Sequence, residues 1–177
     1  WFDRWATEHR TVREDVGVID MSFMAKFSVE GSGAGALLDR VSAGAVDGDA
    51  GVITYTQWLN EDGLLEADLT VTKLAADRFL VVASDTAHGH ALDWLRRAAS
   101  TGSTTGGGDV TITDITDAYG VLVLAGPNSR ALLQKLTDAD LSNAGLPWLA
   151  GKDISVGHVT SHVLRVNFVG ELGYEFH

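Results

Sequence analysis

The chain has 177 residues, 45% of them apolar, which is enough to bury one core and form one domain or a large part of one. Its net charge of −11 argues against a surface that neutralises nucleic-acid phosphates or acidic lipid headgroups. The absence of cysteine excludes disulfides, thiol nucleophiles and cysteine-ligated zinc.

No apolar run approaches the roughly 18 residues needed to cross a bilayer, and the first residues, Trp1 to Trp5, lack the pattern of a signal peptide. We therefore expect a cytoplasmic protein, or one of the mitochondrial matrix if the source is eukaryotic. The chain lacks an initiator methionine and stops within a pattern at Glu175 to His177. We expect residues 1–177 to be a fragment of a longer polypeptide.

Hydrophobic periodicity and turn residues predict alternating groups of helices and strands. In chain order, the predicted elements up to the middle of the chain are a charged helix over Thr7 to Val16, a strand over Ala25 to Glu30, a helix capped by Ser32 and reaching about Ala45, strands over Val52 to Leu59 and Leu64 to Leu74, a strand over Phe79 to Ala83, and a helix over Thr86 to Arg97. After a glycine-rich and threonine-rich loop, Thr101 to Gly108, come strands over Val110 to Ile115 and Tyr119 to Leu124, a helix from Pro127 to about Leu136, and strands over Ile154 to Val156 and Val159 to Phe168.

Short turns join adjacent strands and helices separate the strand pairs, so we predict an α+β fold with a largely antiparallel sheet. One motif points elsewhere: Gly31 to Ala36 satisfies the G-x-G-x-x-A pattern of dinucleotide-binding turns. The strand before it alternates polar and apolar residues, whereas a dinucleotide-binding unit needs buried parallel strands. Small residues at a strand-to-helix junction are the favoured interpretation of this motif.

The predicted hairpin around Asn60 to Gly63 carries the most informative acid. Alternation places Leu65, Ala67, Leu69 and Val71 on one face and Glu66, Asp68, Thr70 and Thr72 on the other. If Leu59 pairs with Leu64, Tyr55 lies opposite Asp68. A carboxylate there could polarise an amine or accept its proton. The alternative is an exposed strand aspartate beside a packing tyrosine.

A second candidate is Glu171, in the segment Gly170-Glu171-Leu172-Gly173-Tyr174 that follows an apolar strand. The flanking glycines allow a flat ligand to approach closely, and a glutamate can accept paired hydrogen bonds from an amino-pyrimidine edge. The alternative is a solvated turn glutamate. The six histidines show no zinc-like spacing, so we predict no metal site.

Several segments, taken together and in order, resemble the glycine-cleavage T-protein (aminomethyltransferase) superfamily, especially the folate-binding part of dimethylglycine and sarcosine dehydrogenases. The matching segments are Glu8 to Ser22, Tyr55 to Asn60, Ala67 to Val71, Asp77 to Val82, Gly126 to Arg130, Asp140 to Asn143 and Val169 to Glu175.

This resemblance implies a bound tetrahydrofolate that receives a one-carbon unit from an amine as 5,10-methylenetetrahydrofolate. Asp68 falls on the family's key acid, Tyr55 on a folate-contacting tyrosine and Glu171 on the acid that recognises the pterin ring. Met24 lies in the segment of a folate-lining methionine. Ala83-Ser84 stands where many T-proteins carry an asparagine, and the family's downstream arginine and C-terminal barrel lie beyond His177.

The resemblance also implies that any FAD belongs to a missing N-terminal domain, which oxidises an N-methyl amine to an iminium that folate captures. The expected partners are therefore folate and an amine-derived small molecule, with neither nucleic acid nor membrane. Two alternatives stay open. One is a T-protein acting on an aminomethyl-lipoyl carrier, and the other is a folate-binding or regulatory module without transfer activity.

Overall fold

The computed structural model describes residues 1–101 and 108–177. Most of the predicted loop from Thr101 to Gly108 lies outside the described residues. The described chain divides into two compact units: unit 1 comprises Trp1–Ser22 and Tyr119–His177, and unit 2 comprises Phe23–Ala118. No helix in these ranges is both long and apolar enough to cross a membrane.

The helices and strands alternate along the chain in small groups. In order they are α1 (Phe2–Glu14), β1 (Gly17–Asp20), β2 (Ala25–Glu30), α2 (Ala34–Val41), β3 (Ile53–Leu59), β4 (Leu65–Ala75), β5 (Arg78–Ala83), a 3₁₀ turn (Asp85–Ala87), α3 (His88–Thr101), β6 (Thr111–Asp114), a 3₁₀ turn (Thr116–Ala118), β7 (Leu122–Ala125), α4 (Ser129–Leu133), β8 (Gly151–Val156), β9 (Val159–Leu164) and β10 (Gly173–Phe176).

Unit 2 is built on a five-stranded antiparallel sheet in the order β3-β4-β5-β2-β6. Alternation along the strands turns residues such as Phe27, Leu69 and Val81 toward one face, where they pack with buried residues of α2 and α3. The indole of Trp58 is fully buried in this core and donates a hydrogen bond to the Ser42 hydroxyl at 3.1 Å. Strand alternation and helix amphipathicity thus account for the core of unit 2.

Unit 1 is built on a second antiparallel sheet, in the order β1-β7-β10-β9-β8. One cluster of buried apolar residues includes Leu124, Leu133 and Tyr174. A second cluster, formed by Val121, Val123 and Ala125, packs against Val12 of α1 among others. The predicted α+β class with largely antiparallel sheets is confirmed.

Several predicted boundaries were wrong. Ser32 does not cap α2, whose first residue is Ala34 and whose N-cap is Gly33 with no side-chain cap bond. The helix ends at Val41 instead of Ala45, because Ser42 turns extended and forms a bridge with Trp58. The strands β1 and β10 were not predicted. Each is a four-residue strand that begins at a glycine, and glycine in a sequence indicates a turn or loop more readily than a strand.

The hairpin of β3 and β4 is confirmed, but its predicted register was wrong by two residues. The turn closes between Asn60 and Leu64, so that Leu59 pairs with Leu65. A bulge at Glu66 then brings Trp58 opposite Ala67. Each irregularity shifts the pairing by one position. Because the combined shift is even, Tyr55 and Asp68 keep a common face although they are not directly opposite.

The bulge also corrects the predicted faces near the turn. Leu65 was assigned to the apolar face but is 62% exposed. Glu66 was assigned to the polar face with Asp68, yet its carboxylate reaches His90 of α3 at 2.6 Å and accepts a hydrogen bond from Asn60 at 3.0 Å. Since α3 packs on the core face of the sheet, the bulge has turned Glu66 toward that face.

Candidate functional site

Asp68 lies on the exposed part of β4 between two neutral hydrogen-bond donors. The Tyr55 hydroxyl donates to Oδ2 at 2.9 Å, and the Gln57 amide donates to Oδ1 at 3.0 Å. Gln57 is directly opposite Asp68, and Tyr55 reaches it diagonally across the sheet. The carboxylate is therefore held at both oxygens, in a cluster that we call the Asp68 triad: Tyr55, Gln57 and Asp68.

The two side chains that donate hydrogen bonds to Asp68 are both neutral. In the described ranges, no lysine or arginine forms a salt bridge with Asp68. The hydrogen bond to Asp68 raises the pKa of the Tyr55 phenol, so the phenol stays protonated at neutral pH and acts as a donor. Each carboxylate oxygen can accept a further hydrogen bond, so the triad presents an oriented acceptor for a cationic or N–H-bearing ligand.

Met24 lies at the same end of the sheet as Asp68. The register aligns Ala25, Ala83 and Leu69 across three neighbouring strands, and Met24 and Asp68 each directly precede a member of this row. Met24 is half-buried, and its backbone carbonyl accepts a hydrogen bond from the Lys26 ammonium at 2.8 Å. Met24 thus directly precedes the first residue of β2. Among the described residues, no hydrogen bond joins Met24 to the Asp68 triad.

Lys26 corrects the predicted polar face of β2. The alternation of Lys26, Ser28 and Glu30 is typical of a solvent-facing side, but Lys26 is fully buried. Burial lowers the pKa of its ammonium, while the charges of Asp117 and Asp114 act to raise it. Periodicity alone gives no signal that distinguishes such a buried lysine from an exposed one.

Glu171, in unit 1, lies in a turn and forms an ion pair. Its carboxylate oxygen Oε1 accepts a hydrogen bond from the Arg13 guanidinium at 2.7 Å, and its side chain is 24% exposed. The preceding Gly170 has a φ of +78°, and its N–H donates to the Asn167 side chain at 2.8 Å. Sequence reasoning missed Arg13, which lies 158 positions away along the chain.

The G-x-G-x-x-A motif serves chain packing. Gly31 has a φ of +121°, and a Cβ there would lie 2.1 Å from the Asp109 carbonyl oxygen. A Cβ at Gly33 would lie 2.6 Å from the Gly108 carbonyl oxygen. Because the motif borders an antiparallel sheet, it lacks the parallel strands of a dinucleotide-binding fold. The preference for a packing interpretation is therefore supported.

In the part of the chain that the structure describes, no group of three or more histidine, aspartate or glutamate side chains is placed to hold a metal ion. His88 instead pairs with Asp114 at 2.7 Å, and His90 pairs with Glu66. These two contacts connect α3 to strands β6 and β4 of unit 2.

Comparison with known proteins identifies the family. The model of the GCVT N-terminal domain matches residues 1–177. Mitochondrial dimethylglycine dehydrogenase of Mus musculus is 35% identical over 177 residues, which are 100% of this chain and 20% of the mouse protein. The aminomethyltransferase of Streptomyces avermitilis is 36% identical over 169 residues, covering 95% of this chain and 43% of that enzyme.

A solved structure agrees with these sequence matches. The glycine cleavage system aminomethyltransferase T of Bartonella henselae superimposes with a TM-score of 0.76 at 26% identity, covering 96% of this chain and 44% of that chain. This chain thus spans less than half the length of these three relatives, and about a fifth of the mouse dehydrogenase. From its first residue to its last, the chain belongs to the GCVT N-terminal domain family of the T-protein (aminomethyltransferase) superfamily.

Proposed function

We propose that this chain binds tetrahydrofolate and serves one-carbon transfer, capturing the methylene group of an iminium derived from an oxidised N-methyl amine to form 5,10-methylenetetrahydrofolate. The observation that carries the proposal is the Asp68 triad, an ionisable acceptor fixed by two neutral donors in a chain of this family. Dimethylglycine dehydrogenase, whose name states an N-methyl amine substrate, matches over the whole chain.

The residues present fit a folate. A reduced pterin carries N–H donors on its amino-pyrimidine edge, and the Glu171 carboxylate retains acceptor capacity beyond the oxygen that Arg13 contacts. Tetrahydrofolate, when bound, supplies the two nitrogens that take up the methylene group. Following the resemblance, we assign Asp68 to the reacting amine, Glu171 to the pterin edge, and Tyr55 and Met24 to folate contacts.

Proton balance defines the role of Asp68. When a methylene group is transferred from an iminium to two N–H groups, both protons leave those nitrogens. One proton departs with the released amine, and the other needs an acceptor. The carboxylate of Asp68 is oriented to accept it or to hold the reacting N–H, and Tyr55 and Gln57 keep the carboxylate in place.

FAD, as the resemblance implies, would act on the amine outside this chain, and the amine itself reaches the site as the iminium. The distinction between this reaction and transfer from an aminomethyl-lipoyl carrier is a substrate question. Full-length protein supplied with dimethylglycine or sarcosine, tetrahydrofolate and an electron acceptor that reoxidises its FAD should form 5,10-methylenetetrahydrofolate. If this product forms from tetrahydrofolate and an aminomethyl-lipoyl carrier but from neither free amine, the T-protein reaction is favoured instead.

Binding is tested by isothermal titration of the full-length protein with folinic acid. We expect the wild type to bind and Glu171→Ala to bind at least tenfold more weakly, because the pterin edge loses a charged acceptor, worth about 1.5–3 kcal/mol. Glu61→Ala, in the exposed hairpin turn, is the control and should bind like the wild type. Unchanged affinity in Glu171→Ala would remove Glu171 from the site.

Transfer is tested on Asp68→Asn. We expect this variant to keep its affinity for folinic acid and to transfer the methylene group about 10²-fold more slowly, since a positioned general base typically contributes 10²–10⁴-fold. Asp62→Asn, in the turn of the same hairpin, removes the same charge without touching Tyr55 or Gln57. A normal transfer rate in Asp68→Asn would exclude a catalytic role for this carboxylate.

A further inference from the structure

We propose that Arg13 is the positioning residue for Glu171, and that its guanidinium determines how well the chain recognises the amino-pyrimidine edge of its ligand. The inference rests on the proposed function and deepens it, because it adds to the site a residue that touches the glutamate and not the ligand. It is carried by contacts within unit 1.

One guanidinium nitrogen of Arg13 joins both sides of the turn that carries Glu171. Nη1 donates to the Glu171 carboxylate at 2.7 Å and to the Val169 carbonyl at 3.2 Å. These two acceptors flank Gly170, whose positive φ of +78° forms the turn. Arg13 therefore fixes the turn and the carboxylate at once, and a change in its position would be transmitted to Glu171.

Arg13 is itself anchored by its neighbours. The adjacent residue, Val12, packs with Val169 against the buried cluster of Val121, Val123 and Ala125. The helix ends one residue after Arg13, at Glu14, and the N–H of Asp15 donates to the Thr11 carbonyl. The backbone that carries the guanidinium is thus held against the same cluster as the turn that it contacts.

The geometry leaves Glu171 able to bind a ligand. Within residues 1–101 and 108–177, Arg13 is the one donor to this carboxylate, and it contacts Oε1. A carboxylate has about four acceptor positions on its two oxygens, so Oε2 and part of Oε1 stay open. An amino-pyrimidine edge presents two neighbouring N–H groups, which need both oxygens in a fixed plane.

The competing interpretation is that Arg13 only stabilises the turn. Arg13 and Glu171 side chains are 49% and 24% exposed, and ion pairs of this kind contribute little to folding stability. We therefore expect Arg13→Gln to shift the thermal midpoint by less than about 4 °C. Its effect on ligand affinity should be larger and selective for the pterin edge.

The experiment is isothermal titration of the full-length protein with two ligands: folinic acid and its analogue in which a methyl group replaces the 2-amino group. We expect Arg13→Gln to weaken folinic acid binding about tenfold and to leave the affinity for the analogue almost unchanged. Combining Arg13→Gln with Glu171→Gln should weaken binding no further than Glu171→Gln does. Arg4→Gln, an exposed arginine of the same helix, is the matched control.

Each outcome decides between the two interpretations. Equal losses for both ligands, or losses that add in the double variant, would show that Arg13 is merely structural and overturn the inference. Wild-type affinity in Arg13→Gln would overturn it as well. A wild type that binds neither ligand overturns the proposed function itself. If Arg13→Gln fails to fold, Arg13→Lys keeps the charge without the planar fork, and it should show the same selective loss to a smaller degree.

Discussion

The pKa of Tyr55 is raised by its hydrogen bond to Asp68, the contact that joins Tyr55 to the Asp68 triad. The protonated phenol donates to the Asp68 carboxylate, and the hydrogen bond chiefly raises the pKa of the phenol above its ordinary value near 10. Because the folded-state pKa is raised, the contact stabilises the fold fully below the unfolded pKa. The stabilisation is lost as pH rises through the folded pKa of Tyr55.

This behaviour gives the first prediction. Replacing Asp68 by Asn should lower the pKa of Tyr55 toward 10, because the anionic acceptor is removed. The titration is followed by NMR of ¹³Cζ-labelled tyrosine, with Tyr55→Phe to assign the resonance and Asp62→Asn as the charge-matched control. Identical titration of Tyr55 in the wild type and in Asp68→Asn would mean that the hydrogen bond does not form in solution.

Some residues of the candidate site could be predicted from the sequence and others could not. Tyr55 and Asp68 were placed together because alternation assigns faces, and an error of two positions in register preserves a face. The same error in register explains why Gln57 was missed, because the predicted pairing put Tyr55, and not Gln57, directly opposite Asp68. Arg13 could not be predicted, because its partner Glu171 is distant in sequence and only the fold of unit 1 brings the two together.

At the scale of elements, the hairpin depends on two irregularities that leave little trace in composition. The three residues between Asn60 and Leu64 include Gly63 at a φ of +76°, and Asn60 accepts hydrogen bonds from the N–H groups of Asp62 and Leu64. The composition Asn-Glu-Asp-Gly identified the turn. It did not show which residues on either side pair first, and these are Asn60 and Leu64. The bulge at Glu66 is stabilised by α3, a contact that no local pattern encodes.

The junction between β2 and α2 supplies the second prediction. Alanine at Gly31 would combine a left-handed φ with a Cβ 2.1 Å from the Asp109 carbonyl, so Gly31→Ala should lower the free energy of unfolding by about 3 kcal/mol. Gly89→Ala is the matched control, because this α3 glycine has no atom within 4 Å of an added Cβ. It should raise that free energy by about 0.5 kcal/mol.

Urea denaturation measures both variants. Equal stabilities for Gly31→Ala and Gly89→Ala would contradict the close approach of Asp109. The comparison also separates the two interpretations of the glycine-rich motif, because a packing role predicts loss of stability irrespective of any added nucleotide. Protection of the wild type by a dinucleotide would instead support a ligand-binding role for the motif.

At the scale of the whole molecule, the two units differ in how they are built from the chain. Unit 2 is continuous from Phe23 to Ala118, whereas unit 1 combines residues 1–22 with residues 119–177. The sequence predicted the antiparallel α+β class because short turns and intervening helices are local features. It did not reveal the division, since β1 pairs with β7 across about a hundred residues and neither strand predicts the other.

The continuity of unit 2 gives the last prediction. Residues 23–118 contain a complete five-stranded sheet, two helices and their own buried cluster, including the fully buried Trp58. A fragment with these bounds should therefore fold alone. It should show a cooperative urea transition, near-ultraviolet circular dichroism from Trp58, and a raised pKa of Tyr55 like that of the full chain. Residues 119–177 lack β1 and α1, so this control fragment should show no cooperative transition, because its sheet lacks an edge strand and its core lacks Val12. A disordered 23–118 fragment would mean that its cluster is too small to fold unaided.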